Sequence, residues 1–271
     1  MKLGLSTWAY TWSFGWAGKV PTQQMDAFAF VKTAARLGAR VVQIADNLPL
    51  DALSAAERFS LKSLADSLGI SVEVGTYGIA DDTIETYIKI AEDFGSPLLR
   101  TVTGIDKLTP QPEELLSRVR RLLGRLEKAK IILAIENHDL FTSESLASIV
   151  RAIDSPFVGI CLDTSNSFGA LEDPDRVIDV LGPLAVNVHL KDIDIERLPE
   201  TDLGFYVVGA EPGVGRLDVD HLVKRLREFG RDPNVIIEQW VPPEATIDET
   251  VAKEQAWAER GFRRLRSLVP G

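Results

Sequence analysis

The chain alternates short β-rich runs with longer helical stretches eight times, and this repetition restricts the fold more than any other feature. The predicted strands cover residues 2–6, 40–45, 70–75, 98–103, 131–136, 158–163, 185–190 and 235–239. Strands that are separated by helices pair in parallel through right-handed crossovers. Eight such units in 271 residues predict a (β/α)8 TIM barrel, a fold of about 250 residues, as one domain over residues 1–271.

A doubly wound parallel sheet is the alternative fold. It is less favoured because such sheets usually have fewer strands, and because the first strand-to-helix turn, residues 6–10, lacks the glycine fingerprint for a dinucleotide. The one long irregular stretch, about residues 192–217, follows the seventh predicted strand and is rich in glycine. Long loops inside a compact domain are usually functional, so we expect this loop to lie over the active site.

Charge and composition narrow the class of function. Lys and Arg number 30 against 40 Asp and Glu, and the net charge of −10 disfavours binding to a nucleic-acid backbone. The single cysteine, Cys161, excludes an intrachain disulfide and any CxxC pair, which favours the cytoplasm. Polar residues interrupt the apolar N-terminus and no later apolar run approaches a bilayer span, so we expect neither a targeting segment nor a membrane anchor.

Acidic residues and one histidine stand at the ends of four consecutive predicted strands: Glu136, Asp163, His189 and Glu238. TIM-barrel active sites lie at the C-terminal ends of the strands. Because side chains alternate across a strand, one assignment of strand faces turns all four residues into the barrel together. The sequence therefore predicts that these four side chains converge.

Three carboxylates in one small space repel one another unless a cation offsets their charge. Oxygen ligands with one imidazole suit a divalent ion, and we expect Mn²⁺, with Co²⁺ or Mg²⁺ as alternatives. Four protein ligands leave positions on a six-coordinate ion for substrate oxygens or water. The favoured chemistry is proton abstraction next to a carbonyl that the metal polarises.

Four short motifs carry a family resemblance: IEN at 135–137, LDT at 162–164, HLKD at 189–192 and IIEQW at 236–240. Through them the whole chain resembles the xylose isomerase-like TIM-barrel superfamily, which includes ketose 3-epimerases. The resemblance implies that the metal ligands are Glu136, Asp163, His189 and Glu238. It also implies that Glu136 and Glu238 form the catalytic acid/base pair.

One position departs from the family pattern. Many relatives have a histidine shortly after the LDT motif, where this chain has Ser165 and Asn166. Asn166 becomes a candidate substrate contact, and His138 is a candidate replacement for the missing imidazole, with a solvent-facing loop position as the alternative. Lys191 lies two residues beyond His189 and shares its inward face, where an ammonium can neutralise an enolate or a substrate carboxylate.

Further candidate substrate contacts come from the other strands and loops. Trp8 and Trp12 belong to an aromatic cluster after the first strand that can stack on a sugar ring. Inward polar positions on strands two to four give Gln43, Glu73 and Arg100. In the 192–217 loop, Arg197 and Arg216 can grip a hydroxyl, carboxylate or phosphate, and the GAEPGVGR run at 209–216 can wrap an anion with backbone N–H groups.

These observations predict a divalent-metal-dependent isomerase or epimerase that acts on a small ketose or sugar derivative. The alternative is a metal-dependent lyase, either a dehydratase or a decarboxylase of a 3-oxo sugar acid. A binding protein without catalysis is disfavoured because all four metal-ligand positions are retained. The expected partner is a small sugar or sugar acid, and the resemblance implies that the chain can form a homo-oligomer.

Overall fold

Eight parallel strands close into a barrel in the computed structural model, which describes residues 1–104, 110–198 and 203–269. The barrel strands are β1 (Leu3–Ser6), β2 (Val41–Ile44), β3 (Ser71–Tyr77), β4 (Leu98–Val102), β5 (Ile132–Glu136), β6 (Val158–Asp163), β7 (Ala185–Lys191) and β10 (Asn234–Glu238). Consecutive strands pair, and β10 closes the barrel between β7 and β1. The predicted TIM barrel is confirmed, and each predicted strand matches an observed one to within two residues at either end.

Helices connect the strands on the outside of the barrel. They are α1 (Thr11–Phe14), α2 (Ala27–Leu37), α3 (Ala55–Ser67), α4 (Asp81–Phe94), α5 (Pro112–Ala129), α6 (Ser143–Ile153), α7 (Pro174–Leu181), α8 (Val219–Glu228) and α9 (Ile247–Leu265). Local sequence fixes several of their ends. Capping boxes start α3 and α9, and Gly38 ends α2 in the left-handed conformation that glycine adopts without strain.

The barrel strands are buried on both faces, which explains their nearly continuous apolar sequences. Helices cover the outer face with one apolar stripe each, as on α5, where the buried residues recur at helical spacing. A polar side chain inside such a strand is therefore an exception that needs a partner or a ligand. Among the residues that the structure describes, no helix combines the length and the apolar character needed to cross a bilayer.

The 192–217 stretch differs from its prediction because part of it is regular. Strands β8 (Ile193–Arg197) and β9 (Phe205–Gly209) form a two-stranded antiparallel sheet. The glycines led to the prediction of an irregular loop. The β-branched and aromatic residues between them favour strands instead. A side chain on Gly209 would place its Cβ 1.8 Å from the carbonyl oxygen of Trp240, so glycine permits β9 to pack against the end of β10.

Candidate active site

Four side chains meet at the C-terminal ends of the barrel strands: Glu136, Asp163, His189 and Glu238. All are buried, and each offers a ligand atom within 4.8 Å of the others. The Nδ1 atom of His189 lies 3.2 Å from Glu136 Oε2, 3.3 Å from Glu238 Oε1 and 4.0 Å from Asp163 Oδ2. The structure thus brings together the four residues that the sequence assigned to a metal.

Two of the four ligand atoms, His189 Nδ1 and Glu238 Oε1, lack a hydrogen-bond partner among the described residues, and a third, Asp163 Oδ2, has only the ion pair with Lys191 Nζ at 3.1 Å. A buried polar atom without a hydrogen bond costs about 1–3 kcal/mol, so these atoms are unfavourable unless something binds them. Neighbouring ligands of an octahedral ion with bonds of about 2.1 Å lie about 3 Å apart, close to the shorter of the distances here. The donor set and its unpaired atoms fit a divalent metal ion.

The orientation of His189 is set by residues deeper in the barrel. Its Nε2 atom lies 2.7 Å from Gln43 Oε1, while Gln43 Nε2 donates to Asn187 Oδ1 at 3.1 Å and to Glu73 Oε2 at 3.3 Å. These acceptors fix the Gln43 amide so that its oxygen faces the imidazole. Nε2 therefore carries a proton, and Nδ1 is the atom that can bind a metal.

Glu73 belongs to this inner network and is not among the residues that line the cavity above the metal centre. Its carboxylate also accepts hydrogen bonds from Asn187 Nδ2 at 2.9 Å and from Asn234 Nδ2 at 2.7 Å. Burial raises the pKa of Glu73, and these amide donors oppose that rise. The structure therefore places Glu73, a predicted substrate contact, in the barrel core, because the stagger of β3 sets it below the cavity.

A buried arginine neutralises one of the carboxylates. Arg100 on β4 donates from Nε to Glu136 Oε2 and from Nη1 to Asp46 Oδ1 at 2.7 Å. Burial raises the pKa of Glu136, but Arg100, with His189 and Lys191, outweighs it and holds that pKa well below its ordinary value. Glu136 is therefore ionised and available as a ligand.

Lys191 supplies a second buried cation. Its Nζ atom lies 3.1 Å from Asp163 Oδ2, 3.1 Å from Glu238 Oε2 and 3.2 Å from Asn166 Oδ1, and 4.9 Å from the centre of the Trp240 ring. Burial lowers the pKa of the ammonium, but the carboxylates of Asp163 and Glu238 raise it well above its ordinary value. Lys191 therefore stays charged.

A cavity of about 380 Å³ opens beside these charges. Five of the predicted substrate contacts line it: Trp8, Arg100, His138, Asn166 and Lys191. The sequence analysis missed others, among them Trp16, Asp46, Tyr77 and Trp240. Trp240 has the same parity as Glu238, so the strand-end rule that found the candidate metal ligands also applies to it. Asp46 has the opposite parity to the inward Gln43 and reaches the cavity from the turn after β2, so the rule does not find it.

The segment after the LDT motif positions two metal ligands in place of the histidine found in many relatives. The backbone N–H groups of Ser165 and Asn166 each donate to Asp163 Oδ1 at 2.8 Å, which turns Oδ2 toward the centre. The Asn166 side chain donates to Glu136 Oε1 at 2.8 Å. His138 lies at the cavity rim, where its ring nitrogen contacts Asp139 and the side chain is 41% exposed.

Besides Glu73, three predicted substrate contacts lie outside this cavity. Trp12 lines a neighbouring apolar cleft of about 560 Å³, and its Nε1 atom donates to Val241 O at 2.9 Å. Arg197 is exposed on β8, because antiparallel pairing with β9 carries it to the far end of that strand. Arg216 is exposed and paired with Asp194, with 2.7 Å between Nε and Oδ1. The structure therefore places these three side chains away from the cavity beside the candidate metal ligands, and their contact with a substrate stays a prediction.

The GAEPGVGR run does wrap an anion, but the anion is the chain's own Asp192. The N–H groups of Gly213 and Gly215 donate to Asp192 Oδ2 at 2.8 and 2.9 Å, and Leu217 N donates to Oδ1 at 3.1 Å. Asp192 is fully buried. The run therefore fastens the end of β7 to the segment after β9, and its described N–H groups at these positions are taken by this carboxylate.

Comparison with known proteins agrees with this architecture. The family model described as xylose isomerase-like TIM barrel matches residues 31–268. The chain therefore belongs to the xylose isomerase-like TIM-barrel family. A curated relative, the 3-oxo-isoapionate decarboxylase of Pectobacterium atrosepticum, is 35% identical over 270 residues, which cover 100% of this chain and 97% of that protein.

Solved structures share the fold at low identity. D-psicose 3-epimerase from Clostridium cellulolyticum H10, solved with D-tagatose, has a TM-score of 0.75 at 17% identity over 99% of both chains. A xylose isomerase-like TIM-barrel protein from Mycobacterium smegmatis, solved in complex with magnesium, has a TM-score of 0.67 at 15% identity over 99% of this chain and 97% of that one. At these identities the likeness supports the fold alone.

Proposed function

We propose that this protein is a divalent-metal-dependent lyase that decarboxylates a 3-oxo sugar acid. The observation that carries the metal-dependent part is the convergence of ligand atoms on Asp163, His189 and Glu238 that make no hydrogen bond and face one point beside the cavity. The full-length relative at 35% identity is a decarboxylase of a 3-oxo acid, which favours lyase chemistry over the isomerase first expected from sequence.

The proposed metal ligands are Glu136, Asp163, His189 and Glu238, and the proposed ion is Mn²⁺, with Co²⁺ or Mg²⁺ as alternatives. When bound, such an ion polarises a carbonyl oxygen and stabilises the negative charge that develops on it. The ionised state of Glu136, held by Arg100, prepares the site for a cation.

The reaction needs an electron sink and a dry site. Decarboxylation breaks the bond between the carboxyl carbon and its neighbour, the electron pair moves toward the 3-oxo group as an enolate, and CO₂ leaves. A proton then joins the carbon that lost the carboxyl group. The positive charge of Arg100 lines the cavity and can stabilise this negative charge, and the rings of Trp8 and Trp240 restrict water at the cavity wall.

Sugar isomerisation or epimerisation is the second candidate, and one observation favours it. Glu136 and Glu238 approach the same imidazole from two sides, at 3.2 and 3.3 Å from His189 Nδ1. In this candidate one of the two glutamates removes the proton next to the carbonyl and the other returns it. Both glutamates therefore remain the proposed acid/base pair.

Parallel assays separate the two reactions. Mn²⁺-loaded protein is incubated with 3-oxo-isoapionate while CO₂ is measured, and with D-fructose in D₂O while deuterium exchange at carbon is followed by NMR. We expect CO₂ release that requires Mn²⁺ and is lost in Asp163→Asn. Deuterium exchange without CO₂ release would establish the isomerase candidate, and the absence of both reactions would refute metal-dependent catalysis on these two substrate classes.

We also propose a cytoplasmic location and a homo-oligomer. The one cysteine, Cys161, is free and buried, as suits a reducing compartment. Exposed aromatic side chains on β9, Phe205 and Tyr206, give a surface that a second copy can cover. Light scattering during size-exclusion chromatography measures the oligomeric state directly.

A further inference from the structure

The charged residues at the site are unevenly balanced. Three buried carboxylates, on Glu136, Asp163 and Glu238, face two buried cations, Arg100 and Lys191. Asp46, which pairs with Arg100 at 2.7 Å, adds a fourth carboxylate, so the group carries two net negative charges without a metal and is balanced by a divalent ion. Positive charge is then left without full compensation only locally, where the metal draws on the carboxylates that face Lys191.

Arg100 and Lys191 differ in the charge of the partners that they contact. Arg100 is held by two carboxylates, Glu136 and Asp46, the second of which lies at the cavity wall. Lys191 has two carboxylate partners and one neutral partner, Asn166 Oδ1 at 3.2 Å, and both Lys191 and Asn166 line the cavity. The neutral contact is the one that an anion can replace with a gain in electrostatic energy.

A bound metal ion also weakens the electrostatic attraction between the Lys191 ammonium and its carboxylate partners. Asp163 Oδ2, which pairs with Nζ at 3.1 Å, also faces the metal position, and Glu238 shares its two oxygens between Lys191 and that position. Because the metal draws on the same carboxylates, the ammonium loses part of its compensation when the site is loaded. Trp240 holds the ammonium from another side, with 4.9 Å between Nζ and the ring centre.

We propose that Lys191 determines the charge class of the substrate: its ammonium binds the carboxylate of a small hydroxy acid, in place of Asn166, when the metal is present. This inference rests on the proposed function, which supplies the metal and the acidic substrate. The contact forms with the intact acid, so it contributes to substrate binding and lowers KM rather than raising kcat. Metal and acid therefore bind with positive coupling.

The test measures binding of D-glycerate to the Mg²⁺-loaded full chain by calorimetry, with glycerol as the neutral probe. In Lys191→Met we expect the affinity for D-glycerate to fall about 10- to 100-fold, as for other hydrogen bonds to a charged group. Lys191→Arg keeps the positive charge and is expected to stay within a few-fold of the wild type. Unchanged D-glycerate affinity in Lys191→Met would overturn the proposal.

A second measurement uses no substrate. Because Lys191 competes with the metal for the same carboxylates, Lys191→Met is expected to bind Mn²⁺ several-fold more tightly than the wild type. Weaker Mn²⁺ binding would overturn the proposal, because it would make Lys191 a support for the ligands. Lys191→Gln keeps polar contacts to the carboxylates and replaces the methionine variant in both measurements if that variant does not fold.

The outcomes separate this inference from the proposed function. If the wild type binds no Mn²⁺, the metal centre fails, and the role of Lys191 fails with it. If the wild type binds Mn²⁺ and releases CO₂ while Lys191→Met has an unchanged KM, only the role of Lys191 fails. A KM for the acid that is raised about 10- to 100-fold, with kcat within a few-fold, supports both.

Discussion

A buried glutamate on the last helix makes the stability of this protein depend on pH. Glu254 on α9 is 1% exposed, and its carboxylate accepts hydrogen bonds from Trp12 N at 2.8 Å, Ser13 N at 2.8 Å and Ser13 Oγ at 2.7 Å. It thereby fastens the segment after β1 to α9. Burial raises the pKa of Glu254 to about 7, although the three hydrogen bonds lower it.

The size and sign of the effect follow from that pKa. In the unfolded chain the carboxyl titrates near the ordinary value of 4.5, so the folded protein binds more protons between about pH 4.5 and pH 7. The stability that this group contributes is fully present below pH 4.5 and is lost as the pH rises through 7. At about 1.4 kcal/mol per pH unit, the loss is about 3 kcal/mol.

The assay compares urea denaturation of the wild type and Glu254→Gln between pH 5 and pH 8. Glutamine does not ionise, but its NH₂ group opposes a backbone donor, so the variant is about 1–2 kcal/mol less stable than the wild type with a protonated Glu254. We expect the stability of the wild type relative to the variant to fall by about 2.5 kcal/mol from pH 5 to pH 8, so that the order of the two stabilities reverses. Glu259→Gln, on the same helix but partly exposed, is the matched control.

Parallel stability profiles for the wild type and Glu254→Gln would refute this reasoning. They would mean that the hydrogen bonds from Trp12 and Ser13 cancel the cost of burying the charge. An advantage that grows with pH would show that these donors outweigh burial, and that the carboxylate stabilises the fold in its ionised form.

Three further substitutions test the network around the metal centre and the packing of β9. Gln43→Met removes the acceptor that orients the imidazole ligand, and Mn²⁺ affinity, followed by electron paramagnetic resonance, should fall about 10- to 100-fold. Arg100→Met leaves two carboxylates without their cation and should cost about 3–5 kcal/mol in urea denaturation, with part restored by Mn²⁺. Gly209→Ala, whose Cβ would meet Trp240 O, should cost about 1–3 kcal/mol in the same assay, whereas Gly124→Ala, with open space around it, should not destabilise.

The convergence of the four candidate metal ligands could be predicted from sequence because it follows from two local regularities. Side-chain alternation within a strand and the shared C-terminal edge of parallel strands together place Glu136, Asp163 and His189 at one point. Neither regularity depends on long-range detail. The same reasoning extends to Trp240, which has the parity of Glu238 and lines the cavity, but not to Asp46, which reaches the cavity from the turn after β2.

The depth of a side chain within the barrel could not be predicted from the sequence, because it depends on the stagger between neighbouring strands. Gln43 and Glu73 point inward as predicted, but the stagger between strands places them below the cavity, where they orient His189. The role of the glycine-rich run at 209–216 could not be predicted from the sequence either. Its N–H groups fit an anion, and only the folded chain shows that Asp192 supplies it.

The central claim is that one divalent metal binds at Glu136, Asp163, His189 and Glu238, and metal binding to the purified protein tests it most directly. The measurement is Mn²⁺ stoichiometry by equilibrium dialysis with elemental analysis, paired with the melting temperature before and after EDTA, for the wild type and Asp163→Asn. We predict about one Mn²⁺ per wild-type chain, a melting temperature that falls on chelation, and loss of both properties in the variant. A wild type that binds no metal and melts unchanged in EDTA would contradict the account.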